Sequence, residues 1–436
     1  MTSGLEVRVV RKISWRILPF VMLLYFVSFL DRVNVGFAAF SMNQAIGLTP
    51  AMFGFGSGLF FLGYFLFEVP SNLILHRVGV RLWIARIMVT WGIVSAASAF
   101  ATGPDSFYAL RFLLGIAEAG FFPGIILYLT LWFPARHRAL AAALFMAAAP
   151  LSTAIGSPVS GTLMELPTIA GLSNWQWLYI LEAIPAILLG FVVLKVLTDR
   201  PEEAHWLEPE ERNWLIATLQ AERIHSNSPT AHRAGVWRAL RDPRVLALSL
   251  IYLGTSAGLY ALGLWSPLIL RKFGFSSLET GWINAVPNAV AVIGMTAWAR
   301  HSDRTLERTW HVVIPCLVAC FGFIWAGATQ TPVGVIFALI IVNVGVSAAK
   351  APLWAMPTMF LSGASAAAGI ALINSIGNLG GFVGPFVIGW LKSKRGSYAG
   401  GLYVVGATLA VSAVVTLLLS RQPSLQCRFP PGITHR

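Results

Sequence analysis

Charge is what this sequence has least of. Asp, Glu, Lys and Arg make up 11% of its 436 residues, where a soluble domain carries about 25%. Such a chain cannot cover a water-facing surface. Cysteine is also scarce, at three residues, too few for a disulfide framework. Cys316 and Cys320 stand one helical turn apart in an apolar run and read as small packing residues. No GxxxxGK[ST] loop occurs to cradle a nucleotide phosphate, which argues against an ATP-driven pump. No HExxH pair occurs, and the eight histidines fall in loops and at the ends of apolar runs, so nothing marks a membrane enzyme or a resident metal, and neither an enzymatic activity nor a cofactor is expected. The net charge of +13 does not point to nucleic acid, because the basic residues sit mostly where apolar runs end.

What is present in excess is apolar sequence, 56% of the chain. Runs of about 20 residues, each long enough to cross a bilayer, recur throughout. Lipid offers no partner to free backbone groups, and the runs are too long and too unalternating for barrel strands. The expected fold class is an all-α integral membrane bundle of twelve transmembrane helices in two six-helix halves. Six spans are predicted near 16–42, 52–75, 82–101, 107–132, 138–164 and 175–197. Six more lie near 245–270, 279–299, 310–328, 332–358, 364–391 and 398–420. The domain reading is an N-terminal half at 1–197, a cytoplasmic linker at 198–244, a C-terminal half at 245–420 and a cytoplasmic tail at 421–436. Within the linker, EPEERNWLIATLQAER has the pattern of a short amphipathic helix starting near Pro209. Asp31 and Arg32 interrupt the first apolar run, so a retained helix is expected there rather than a cleaved signal.

Lys and Arg set the orientation. With the N-terminus inside, the inner loops carry Arg77, Arg81, Arg136, Arg138, the linker arginines, Arg300, Arg304 and Arg308. The outer loops 1–2, 3–4 and 5–6 carry none. Arg271, Lys272, Lys392, Lys394 and Arg395 are the exceptions. The bias places both termini in the cytoplasm. The halves also echo one another: span 5 contains GSPVSG (Gly156, Pro158, Gly161) and span 11 contains GPFVIG (Gly384, Pro385, Gly389). Internal repeats of this kind are typical of transporters.

Several stretches carry a resemblance to a known family: FLDRVNVGFA in span 1, GYFLFEVPSN in span 2, RFLLGIAEAGFFPG in span 4, WLEPEER in the linker, PLWAMPTMFLSG at the end of span 10 and INSIGNLGGFVGP in span 11. With these the sequence resembles the major facilitator superfamily and, within it, the anion:cation symporter family. The resemblance implies a bacterial inner-membrane, proton-coupled importer of an organic anion such as tartrate, phthalate, hydroxyphenylacetate or a sugar acid. Two departures stand out. The loop after span 2 has His76 before Arg77 where the superfamily usually has aspartate, although Asp303–Arg304 keeps the pattern in the second half. Span 5 has GSP rather than a full antiporter-type glycine series, which leans toward symport.

A charged side chain at the centre of a span costs at least about 2.5–3.5 kcal/mol, so each one demands a reason. Asp31 and Arg32 point about 100° apart on a helix and read either as ion-pair partners of other helices or as cavity-lining groups. Arg111 and Glu118 share one face of span 4, about 10 Å apart along the axis, which is too far for a direct pair but suits neighbouring substrate and proton sites. Lys350 stands near midspan in VSAAKAPLWAMP and reads equally as a snorkelling lysine or a substrate contact. Glu68, in span 2, and Glu182, in span 6, read as interdomain or loop-anchoring contacts rather than coupling sites. The combined expectation assigns Arg32, Arg111 and Lys350 to the anion. Asn374 and Asn378 would hydrogen-bond to it, and Tyr64 and Trp354 would floor the pocket. Asp31 and Glu118 would carry the proton, and Arg77, Arg81, Asp303, Arg304 and Arg308 would form gating loops. The expected partners are a small organic anion, protons and the lipid bilayer, and the 6+6 bundle is expected to act as a monomer. An exporter, an exchanger or a non-transporting sensor on the same fold is the alternative.

Overall fold

The long apolar runs close into helices because a helix satisfies its own N–H and C=O groups within lipid. The computed structural model describes residues 2–226, 241–305, 307–361 and 363–421. Residues 227–240 of the expected linker and the tail from 422 onward lie outside the described residues. The first half comprises α1 (Thr2–Ala45), α2 (Pro50–Val78), α3 (Val80–Ala97), α4 (Pro104–Glu118), α5 (Phe121–Trp132), α6 (Ala135–Leu163) and α7 (Asn174–Val196). A surface helix, α8 (Pro209–Ser226), follows. The second half comprises α9 (Pro243–Arg271), α10 (Ser277–Thr305), α11 (Thr309–Ala328), α12 (Pro332–Ala348), α13 (Lys350–Ala355), α14 (Gly363–Asn378), α15 (Gly380–Arg395) and α16 (Ala399–Ser420). Among the described residues the only β pairing is a bridge between Ile169 and Leu172.

Among the described residues, eleven stretches are long and apolar enough to cross a membrane. The twelfth expected span is the 29-residue α10, whose hydropathy is diluted by Asn284, Asn288 and the charged run from Arg300 to Arg304. Both asparagines are buried, so their polarity is turned into the bundle. Three spans are not continuous. Span 4 breaks into α4 and α5 directly after Glu118, where Ala119 leaves the helical region and Gly120 adopts φ 88°. That backbone conformation favours glycine, and Ser71 Oγ donates to the freed Ala119 carbonyl at 2.6 Å. Span 10 breaks beside Lys350, between α12 and α13, and span 11 breaks at Leu379, beside Asn378.

Small residues let the halves meet closely. A Cβ on Gly54 would stand 2.6 Å from the Pro385 carbonyl, and one on Gly389 would stand 2.3 Å from the Pro50 carbonyl. Across the second seam, Gly281 faces the Ser157 carbonyl and Gly161 faces the Ser277 carbonyl, with 2.5 and 2.6 Å available. Polar contacts finish the same end of the molecule: Ala51 N–H donates to Ser393 Oγ at 2.9 Å, and Ser277 N–H donates to Glu165 Oε1 at 2.7 Å. Glu165 thereby caps α10 from the other half.

At the opposite end, α8 is tied to the first half. Lys12 Nζ donates to Glu211 Oε2 at 2.8 Å and Arg138 Nη2 donates to Glu222 Oε2 at 2.7 Å. Trp206 stacks on Trp132. Burial pushes the Glu211 carboxyl up, but Lys12, the Glu208 N–H and Arg8 outweigh it and hold the group below the usual glutamate range.

The two seams differ from packing within a half, and substitution separates them. A Cβ on Gly115 would stand 2.0 Å from the Phe60 carbonyl inside the N-terminal half. Gly115→Val is expected to destabilise by about 1–3 kcal/mol through overpacking, read as a lower melting temperature. Gly281→Val is expected to force the α6–α10 seam open. In a chain whose own cysteines are replaced, a cysteine placed at Ser277 should then react faster with an impermeant maleimide.

Candidate functional site

The site grows from the middle of α1, where the i, i+4 pair Ser28 and Arg32 shares a face. Both reach the end of α4. Ser28 Oγ donates to Glu118 Oε1 at 2.6 Å, Arg32 Nε donates to the same oxygen at 2.8 Å, and Arg32 Nη2 lies 2.7 Å from it. Arg32 Nη1 donates at 3.1 Å to the Tyr260 hydroxyl on α9. One guanidinium therefore joins α1, α4 and the opposite half. Glu118 is 1% exposed and Arg32 9%. Removing one partner of a buried pair strands the other charge, which costs about 3–5 kcal/mol.

Arg111 shows the reverse condition. It is 1% exposed, yet its Nε and Nη1 have no hydrogen-bond acceptor. Its guanidinium lies over the Phe60 ring at 5.3 Å, and that of Arg32 lies 5.5 Å from the same ring. Phe60 thus separates two buried cations, of which only Arg32 has a carboxylate partner. Tyr64 completes the aromatic surround, 5.4 Å from the Arg32 guanidinium.

Asp31 does not join this cluster. It points toward α3, where Trp91 Nε1 donates to Oδ2 at 2.5 Å and Ser95 Oγ donates to Oδ1 at 3.1 Å. Asn34 Nδ2 adds a third donor at 3.3 Å. The 100° offset between neighbours on a helix sends Asp31 into the N-terminal half and Arg32 across the centre.

The second half contributes differently. Asn374 is occupied: its Nδ2 donates to Glu68 Oε1 at 2.8 Å, and Ser375 Oγ donates to Glu68 Oε2 at 2.8 Å. Glu68 thus bridges the halves. Lys350 is half-buried and, among the described residues, forms an ion pair with none of the buried carboxylates of the first half. Trp354 packs against Tyr252 with centroids 5.0 Å apart, and Asn378 is half-buried beside the span 11 break. Arg32, Glu118 and Tyr64 therefore meet directly, with Arg111 across Phe60. Lys350, Trp354, Asn374 and Asn378 belong to the facing wall.

At the loop ends, Arg77 is exposed, and the Arg81 backbone N–H donates at 2.8 Å to Asp199 Oδ1. Asp199 follows span 6, and its carboxylate also lies against Gly79. It supplies the anion that His76 does not. In the second half, Asp303 pairs with Arg308 at 2.7 Å, while Arg304 is exposed.

Sequence reasoning missed Ser28, Tyr260, Trp91 and Ser95. Ser28 was findable, four residues before Arg32. Tyr260, Trp91 and Ser95 come from other helices and carry no sequence signal of contact. The string GTSAG at 254–258 spells a nucleophile elbow, but it lies inside the continuous helix α9, which lacks the strand-to-helix turn that chemistry requires.

A small void lies beside this cluster, lined by Phe29, Val33 and Thr153 from the first half and by Tyr260, Asn284 and Asn343 from the second. The arrangement offers buried cations, a carboxylate paired with one of them, and amide groups across an inter-half gap. Transport proteins place such groups at the breaks of discontinuous helices.

Known proteins share this arrangement of helices. The sequence profile described as Major Facilitator Superfamily matches residues 21–385. A protein of Agrobacterium vitis named "Putative tartrate transporter" is 62% identical over 97% of this chain and 93% of its own length. A "Quinolone resistance transporter" of Acinetobacter baumannii is 41% identical, covering 95% of each chain. The "Inner membrane transport protein RhmT" of Escherichia coli K12 is 35% identical over 96% of this chain and 97% of its own. Among solved structures, a bacterial homologue of the human lysosomal transporter Spinster superposes with a TM-score of 0.77 at 18% identity, covering 95% and 98% of the two chains. The xylose transporter XylE of E. coli superposes with a TM-score of 0.75 at 13% identity, covering 93% and 97%. The twelve-helix architecture, the profile match and these relatives together establish that the chain is a multi-pass membrane protein belonging to the Major Facilitator Superfamily.

Proposed function

We propose that the protein is a secondary active transporter that carries a small organic anion inward with protons, in a bacterial inner membrane with both termini cytoplasmic. The observation that carries this reading is Arg111: a fully buried guanidinium with two N–H groups unsatisfied. A buried cation without an acceptor is costly, and a carboxylate ligand would bring acceptor oxygens to this guanidinium. The relatives named for tartrate support a dicarboxylate as the first substrate class to test.

Glu118 supplies the coupling. While ionised it holds Arg32, and protonation weakens that grip and frees the guanidinium for the anion. Proton and anion binding then favour one another reciprocally. Lys350, Asn374, Asn378 and Trp354 would close the site from the C-terminal half, with Tyr64 at its floor. The end where the glycine seams meet carries the loops without Lys or Arg between spans 1–2 and 5–6, which supports taking that end as external. The halves, 1–197 and 245–420, would rock about the loaded site with 198–244 as their connector, each protein acting as a monomer. The loop groups Arg77, Arg81, Asp303, Arg304 and Arg308 would latch the inner end in the alternate state.

A second reading is export of an organic acid, favoured by the 41% identical relative named for quinolone resistance. The two differ in the sign of a proton signal. Adding tartrate to a lightly buffered suspension of energy-depleted cells expressing the protein should make the medium drift alkaline, with no drift in vector controls. A drift that appears only from preloaded cells, on tartrate exit, would replace uptake by export.

Variants sort the roles. Glu118→Gln is expected to abolish proton-driven accumulation while retaining counterflow of substrate, because the variant mimics the protonated state. Full accumulation in that variant would remove Glu118 from the coupling role. Arg111→Lys should weaken substrate binding at least tenfold, about 1.4 kcal/mol or more, because a point charge cannot replace a bidentate fork. Isothermal titration with tartrate reads the change.

A further inference from the structure

The carboxyl of Glu182, on α7, has no part in the cycle described above. It is 3% exposed in the interior of the N-terminal half. One oxygen, Oε1, accepts from Ser160 Oγ at 2.7 Å. The other, Oε2, is buried with no partner. Asn34 stands between Glu182 and Asp31: its Nδ2 donates to Asp31 at 3.3 Å, its side chain also faces Glu182, and its own Oδ1 is buried with no donor. Two orphaned acceptors therefore lie on neighbouring side chains, each in surroundings where an unmade hydrogen bond costs about 1–3 kcal/mol.

A single proton on Glu182 answers both deficits. A neutral carboxylic acid carries an O–H donor where the ionised form has only acceptors, and the neighbouring Asn34 has an Oδ1 that lacks a donor. The alternative charge assignment is worse. Asp31 receives three donors, from Trp91, Ser95 and Asn34, whereas Glu182 has one close donor, Ser160 Oγ, and shares the Asn34 amide with Asp31. Two nearby carboxylates in a low dielectric do not both ionise readily, so the better-solvated one keeps the charge. The other groups around Glu182 do not change this assignment. α6 presents Ser160, α3 presents only Trp91 and Ser95 to this corner, and α4 brings Arg111 no nearer than the neighbourhood of Tyr179, on the same helix as Glu182. Among the described residues no lysine or arginine forms an ion pair with Glu182.

We propose that Glu182 is a proton-carrying residue, and that Asp31, Asn34 and Glu182 form a one-proton site inside the N-terminal half, separate from Glu118. Its position gives that proton something to act on. Ser160 lies on α6 three residues from Ser157, whose hydroxyl accepts from Asn284 Nδ2 at 2.9 Å across the seam with α10. Loss of the proton would place a second negative charge beside Asp31 and strain the α1–α6–α7 packing that backs this seam. The link to transport rests on the symport reading; the proton on Glu182 does not.

Infrared spectroscopy of the purified full chain in lipid nanodiscs at neutral pH tests the proton directly. The wild-type spectrum minus that of Glu182→Gln should show loss of one carboxylic-acid C=O band that shifts in D2O. Ser160→Ala should keep that band and move it to higher frequency, since one hydrogen bond is lost, and it serves as the second variant if Glu182→Gln does not fold. Loss of an ionised-carboxylate band instead, no difference at all, or disappearance of the acid band on exchanging potassium for sodium would each overturn the proposal. An acid band at Glu182 with no tartrate-driven proton drift would leave this site standing and remove the transport reading. An absent band with intact drift would do the opposite.

Discussion

The Arg32–Glu118 ion pair is the interaction on which the centre of this molecule depends. Either charge would be costly to bury alone, and together they draw three helices to one point: α1 through Arg32 and Ser28, α4 through Glu118, and α9 through Tyr260. Burying both ions costs more than their attraction returns unless further hydrogen bonds fill the remaining valences, and Ser28 and Tyr260 supply two of them. The pair is thus satisfied but not over-satisfied, since Glu118 Oε1 accepts from both Ser28 and Arg32 while its position at a helix end leaves room to move. A carboxylate set just before the φ 88° turn at Gly120 is held by an end that can rotate more freely than a mid-helix residue.

How much of this could be read from the chain alone varies with distance along it. The spans were legible because lipid permits few backbone conformations, and the deep charges were legible because each is expensive. Arg111 and Glu118 were correctly placed on one face of span 4, but their separation hid the fact that Glu118 is claimed by Arg32 from 86 residues away. Asp31 and Arg32 were correctly expected to diverge. Which of them would face the centre depended on where α3 and α4 lie, and that is a property of packing. The break of span 4 after Glu118 was also not foreseen, although Ala119–Gly120 is the one place there where a glycine follows a buried carboxylate. Glu182 was read as an interdomain or loop-anchoring contact, whereas its close partner, Ser160, lies on a neighbouring helix of the same half; burial of the second oxygen could not be known from its neighbours in sequence.

The two halves have similar frames and unequal chemistry. In the first, the interrupted span 4 places Glu118 at its break with Arg111 two turns before it. In the second, the equivalent interruption of span 10 places Lys350 at its break, with Trp354 one turn later against Tyr252. The N-terminal half therefore holds paired and competing charges, while the facing wall offers one lysine, amides and aromatic rings. Under the proposed cycle this asymmetry divides the work: the first half senses the charge of proton and anion, and the second reads the size and shape of what is bound.

That division also explains why the seams are built from glycine and not from ion pairs. Salt bridges across a moving interface would have to be broken and desolvated at each turn, at several kcal/mol apiece. Backbone-to-backbone contacts at Gly54, Gly161, Gly281 and Gly389 gain dispersion energy over many weak contacts and have no single interaction that must fail before the halves separate. The polar links near the centre, Glu68 with Asn374 and Ser375 and Arg32 with Tyr260, join a charged group to neutral partners, so parting them costs hydrogen bonds but strands no opposite charge. Under the proposed cycle, a bundle held this way is closed firmly enough to seal one end and loosely enough for a change of one charge at Glu118 to decide which end that is.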